Sequence, residues 1–204
     1  MRKITVIDYG MGNLHSVCGA LTHLGITHEV NADIRAVKNA ESLILPGVGA
    51  FPDAMKALRE TGLAEVLREK CLCGTPLLGI CLGMQLLADK SDEITPTEGL
   101  GLIGGYCRKI VAPGLKIPHI GWNDLTFDKP CPLLDGVADG SYVYFVHSFR
   151  FCPENEAESL AAHTVYGECI PAVITNGQNV FGAQFHPEKS QSTGLRMLKN
   201  FANL

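Results

Sequence analysis

Alternation of short apolar runs with helical segments is the feature that most restricts what this chain can fold into. Residues 3–8 carry β-branched types and read as a strand, which Gly10-Met11-Gly12-Asn13 turns. Leu14, Val17, Cys18, Leu21 and Leu24 then recur at helical spacing, and Gly25 supplies the stop. Another strand is expected near 26–30. Leu43-Ile44-Leu45 has no polar face, as expected of a strand buried on both sides, and Pro46-Gly47-Val48-Gly49 ends it. Residues 52–70 read as helix in two pieces, divided at Gly62. Leu77-Leu78-Gly79-Ile80 is a third buried run, with a helix expected to begin over Met84 to Ala88. Such alternation predicts a parallel sheet covered by helices.

From about 102 to 185 helical spacing gives way to short strands near 106–111, 122–127, 142–147, 158–164, 170–175 and 179–185. The expected fold is therefore α/β: an open, mostly parallel central sheet flanked by helices, with extra antiparallel strands in the C-terminal half. A last helix should start at Ser192 or Thr193 and bury Leu195, Leu198 and Phe201. With no repeat, linker or low-complexity tract, residues 1–204 are read as one domain.

Composition narrows the function. The net charge of −4 and scattered Lys and Arg give no nucleic-acid or membrane surface. The apolar part of the N-terminus is too short for a signal peptide and is broken by Asp8, so a cytoplasmic location is expected. Cys18, Cys107 and Cys169 lie in apolar segments and are read as buried free thiols. Cys71-Leu72-Cys73 lacks the second pair that a zinc site needs. Gly10-Met11-Gly12 lacks the third glycine of a dinucleotide loop.

Cys81 requires a different account. Gly79-Ile80-Cys81-Leu82-Gly83 fits a nucleophile elbow with Cys in place of Ser. A buried strand turning sharply into a helix pushes the thiol over the C-terminal sheet edge, where open α/β sheets bind ligands. Helix N–H groups there favour a thiolate, with the Leu82 N–H as an oxyanion donor. Gly182-Ala183-Gln184-Phe185-His186-Pro187-Glu188 supplies the complement. His186 has the proton affinity of a base, and Glu188, two residues on in an extended segment, would project to the same side and orient it.

Gly-Ile-Cys-Leu-Gly-Met-Gln together with Phe-His-Pro-Glu resembles the class I (triad) glutamine amidotransferases, over essentially the whole chain. Asp8-Tyr9-Gly10-Met11-Gly12-Asn13-Leu14, Pro46-Gly47-Val48-Gly49-Ala50-Phe51, Gly121-Trp122-Asn123 and Tyr144-Phe145-Val146-His147-Ser148 are most similar to the glutaminase subunits of imidazole glycerol phosphate synthases. Where that group has Met before the Gly, this chain has Ile120 before Gly121.

The resemblance implies glutamine hydrolysis through a thioester on Cys81, with His186 and Glu188 and with no metal or organic cofactor. It further implies an oxyanion site at Gly49 and Leu82, and glutamine contacts from Gly47, Gln85, His147, Ser148 and Phe149. The implied partner is a (β/α)8-barrel cyclase subunit in a heterodimer, faced by Asn13, Trp122, Tyr144 and Lys189, without which the chain would be nearly idle. Three alternatives stay open: a glutaminase serving pyridoxal phosphate or anthranilate synthesis, a DJ-1-like or peptidase-like cysteine hydrolase, and a non-catalytic binding module.

Overall fold

The computed structural model describes residues 1–204. The first half runs β1 (Ile4–Ile7), α1 (Leu14–His23), β2 (His28–Asn31), α2 (Ile34–Lys38), β3 (Ser42–Gly47), α3 (Phe51–Glu60), α4 (Leu63–Leu72), β4 (Leu77–Cys81) and α5 (Leu82–Gln85). Then come β5 (Lys90–Ser91), β6 (Thr97–Glu98), β7 (Gly105–Lys109), β8 (His119–Asp124), β9 (Thr126–Phe127), β10 (Tyr142–His147) and β11 (Phe149–Pro153). The chain closes with α6 (Glu156–Ser159), β12 (Leu160–Tyr166), β13 (Glu168–Thr175), β14 (Val180–Ala183) and α7 (Gln191–Ala202).

The central sheet has eight strands in the order β2-β1-β3-β4-β14-β13-β12-β9. Neighbours from β2 to β14 are parallel, and those from β14 to β9 are antiparallel. Alternate residues of the parallel strands feed two separate cores. Ile4, Val6, Ile44, Leu78 and Ile80 point to one face. Ile7, Leu43, Leu45 and Leu77 point to the other. Each core holds 27 buried residues, so the sheet is covered equally on both sides. This explains why β1, β3, β4 and β14 lack polar positions facing water. Two smaller sheets stand apart from it: a β8–β10 ribbon and the four strands β11-β7-β5-β6.

Three expectations need correction. The helix after Cys81 is a single turn, because the Leu86, Leu87 and Ala88 carbonyls accept from Leu100, Leu102 and Gly101 at 2.8–2.9 Å instead of continuing it. The last helix begins at Gln191, before either expected cap. Ser190 stands in the cap position, but its hydroxyl donates to the His186 carbonyl (2.7 Å) and accepts from the Tyr144 N–H (3.0 Å). Met197 joins Leu198 and Phe201 on the inner face of α7, while Leu195 is only half-buried. Finally, Cys169 is exposed and Cys18 half-buried. Cys169 pairs with Val165 at the turn end of the β12–β13 hairpin, beyond the reach of the core.

Candidate active site

Three adjacent parallel strands, β3, β4 and β14, end at the same edge. Gly47 lies beside Cys81 in register, and Ala183 beside Ile80. The chain leaving β14 therefore arrives next to the cysteine three residues later. A cavity of about 340 Å³ opens over this edge, a size suited to a small metabolite.

Cys81 has φ 55° and ψ −110°, a conformation costly for a residue with a side chain. The flanking glycines show what holds it there. A Cβ on Gly83 would stand 1.8 Å from the Leu45 carbonyl oxygen, and one on Gly79 would stand 2.5 Å from the Gly83 oxygen. The turn closes only because backbone packs directly on backbone. In its protonated form the thiol donates to the Val146 carbonyl at 3.6 Å. With α5 only one turn long, its aligned peptide dipoles contribute less at the sulfur than a long helix would.

Nδ1 of His186 is 2.8 Å from Glu188 Oε1, and both side chains are buried. The geometry differs from the extended segment expected. His186 is extended, but Pro187–Lys189 forms a 3-10 turn, and that turn brings the carboxylate back to the ring. The other oxygen, Glu188 Oε2, is buried without a partner. Burial disfavours the imidazolium, but Cys81 and the bonded Glu188 carboxylate outweigh it and raise His186 to about 10. Imidazole and carboxylate are thus bonded to each other, and the thiol shares the cavity lining with the ring.

The remaining expected residues divide. Gly49, Leu82, Gln85, His147, Ser148 and Phe149 line the cavity. Gly47 is buried beneath it, where a Cβ would meet Gly83 N, Leu82 Cβ and the Tyr9 hydroxyl at 2.8 Å. Gly49 has φ +99°, and the preceding Val48 N–H is tied to the Met11 carbonyl by one long bond of 3.3 Å. The Gln85 amide nitrogen donates to Phe149 O (2.9 Å) and Gln184 Oε1 (3.0 Å), so only its carbonyl oxygen remains for a ligand.

Asn13 and Lys189 also border the cavity. Trp122 and Tyr144 lie outside it, opposite each other on the β8–β10 ribbon with ring centroids 5.8 Å apart. The indole is 46% exposed and does not cap the core. The His186 N–H donates to the Tyr144 carbonyl at 2.9 Å. Both polar groups of the Tyr144 backbone therefore join the His186–Ser190 turn.

Sequence reasoning passed over Glu93, the only carboxylate lining the cavity. Its Oε2 accepts from the Phe51 N–H at 2.9 Å. Burial raises its proton affinity, the Phe51 bond opposes that, and Asp53 adds to it. It sits in a polar turn after a two-residue strand, with nothing local to distinguish it from a solvated acid.

Fold and cavity together define an α/β protein of the cysteine-elbow type, with a His–carboxylate pair facing the thiol. Residues 5–204 match the family described as "Glutamine amidotransferase class-I", and the chain belongs to that family. It is 51% identical to the imidazole glycerol phosphate synthase subunit HisH of Geobacillus thermodenitrificans, covering 100% of this chain and 97% of that protein. The subunit of the same name from Caldanaerobacter subterraneus subsp. tengcongensis is 52% identical, covering 98% of each. Among solved structures, PurLQS from Thermotoga maritima superposes with a TM-score of 0.77 at 23% identity, over 100% of this chain and 99% of that one. A structure titled glutamine amidotransferase gives 0.76 at 21% identity, over 98% and 99%. These two likenesses concern the fold. No helix is long and apolar enough to cross a membrane.

Proposed function

We infer that this chain is the glutaminase subunit of an imidazole glycerol phosphate synthase, releasing ammonia from glutamine for a separate cyclase subunit in histidine biosynthesis. Cys81 and the Glu188-bonded His186 at one cavity carry this reading, and identity of about half over the whole chain to subunits of that synthase supports it. With the proton on His186, the sulfur attacks the side-chain amide carbon. Backbone N–H groups at Leu82 and Gly49 hold the oxyanion. His186 passes its proton to the departing ammonia, leaving a glutamyl thioester. Water, deprotonated by His186, cleaves the thioester to glutamate and regenerates the thiol.

Glutamine arrives as a zwitterion. His147, Ser148 and Phe149 border its amino-acid end, and Glu93 supplies the negative charge for its ammonium group. Glu93→Gln keeps an acceptor for the Phe51 N–H and loses only the charge. It should raise KM for glutamine by roughly 10- to 100-fold and change kcat less, as measured by glutamate release. An unchanged KM would remove Glu93 from the site.

The partner is a (β/α)8-barrel cyclase, and the exposed Trp122–Tyr144 pair is its docking ground. Trp122→Ala should weaken association about 10- to 100-fold by calorimetry, while Tm of the isolated chain stays nearly constant. Undiminished affinity would place the contact elsewhere. The decisive assay measures glutamate release with and without the barrel subunit and its nucleotide ligand. Turnover should be slight alone and strong in the assembly; strong turnover by the chain alone would reject partner-dependent control.

A further inference from the structure

Behind the cavity-lining His147 lies a second histidine, His119, that the reaction above does not use. His119 on β8 and His147 at the end of β10 are register partners, both buried. His119 Nδ1 is 3.0 Å from His147 Nε2. His147 Nδ1 is 2.8 Å from the Phe149 carbonyl oxygen, which also accepts from Gln85 Nε2.

The proton positions follow from these contacts. A carbonyl oxygen only accepts, so His147 Nδ1 carries a hydrogen and donates. In the neutral ring its Nε2 is then bare and must accept, so His119 Nδ1 donates. Burial lowers both rings to about 4, the histidines opposing each other in addition at His147, so the neutral forms prevail at neutral pH. His119 is itself clamped by stacking on Phe145 at 4.8 Å and on Tyr166 at 3.9 Å. The chain of bonds runs His119 → His147 → Phe149 O ← Gln85 and ends on cavity-lining backbone.

We propose that His119 is a positioning residue for glutamine binding. It bonds the bare Nε2 of His147 and so holds the ring plane, which aims the Phe149 carbonyl and sets the His147–Phe149 backbone against the substrate. This rests on the glutaminase reading above. His119 touches neither the substrate nor the sulfur, so its effect falls on KM.

The test compares two variants in the assembled two-subunit enzyme. His119→Phe keeps a ring between Phe145 and Tyr166 and removes the donor. His119→Asn places an amide N–H near the position of Nδ1. His119→Phe should raise KM for glutamine about tenfold, with kcat held within about twofold and ammonia-supported synthesis unchanged. His119→Asn should recover most of the loss. Imidazole ¹⁵N spectra of the chain should show His147 as the Nδ1–H tautomer in both proteins, with its Nε2 signal moved toward that of an unbonded ring nitrogen in His119→Phe. An unchanged KM in His119→Phe overturns the proposal, whatever the spectrum shows. A raised KM that Asn does not relieve also overturns it, assigning the loss to packing. If the wild-type assembly releases no glutamate, the glutaminase reading fails instead, and that outcome is visible before any variant is made.

Discussion

Cys81→Ser should lower glutamine-dependent turnover by roughly 10⁴-fold or more, while ammonia-dependent synthesis by the assembled enzyme persists. The substitution is small and fits the strained turn. A hydroxyl, however, does not give up its proton to His186 at neutral pH, so no anion is ready to attack. The second readout is the imidazole itself. His186 sits at about 10 because Cys81 and Glu188 outweigh the effect of burial. Removing the thiol in Cys81→Ala should let that value fall, which an NMR titration would show. The sign for stability follows. A folded value above the free value of 6.5 means the contribution is complete below about 6.5 and lost as pH rises toward 10. Cys81→Ala should therefore flatten the alkaline loss of Tm. Glutamate release surviving in Cys81→Ser would end the thioester mechanism.

Gly83→Ala should be the most damaging single methyl group in the chain. Its Cβ would lie 1.8 Å from the Leu45 oxygen and 2.9 Å from the Leu45 carbonyl carbon. Both are backbone atoms of a central strand and have no rotamer by which to retreat. A loss above about 4 kcal/mol is expected, and a fall in Tm of about 10 °C or more. Gly19→Ala in α1 is the control. No atom lies within 4 Å of its added Cβ and its φ is not positive, so it should be neutral or raise stability by up to about 1 kcal/mol. Similar melting of the two variants would contradict the packing described for the elbow.

The elbow was legible because its signal is local. Apolar runs mark β3 and β4, and Gly79 and Gly83 mark the points of backbone contact. The His186–Glu188 pairing was legible as chemistry, although its 3-10 geometry was not. What escaped has distant causes. The end of α5 depends on residues 99–102 taking the carbonyls after it. Strands β5 and β6 are two residues each and exist only as neighbours in a small sheet. Strand β11 follows β10 after a single residue, so the two merge into one stretch in the sequence. Glu93 reaches the cavity only because α3 begins beside its turn.

Tyr144 shares the β8–β10 ribbon with Trp122, and its N–H and C=O both bond to the turn that carries His186. The ribbon and the imidazole are thus coupled like two arms on one axle. A protein that grips the ribbon from outside holds the proton carrier at the same time, with no slack joint between them to absorb the load.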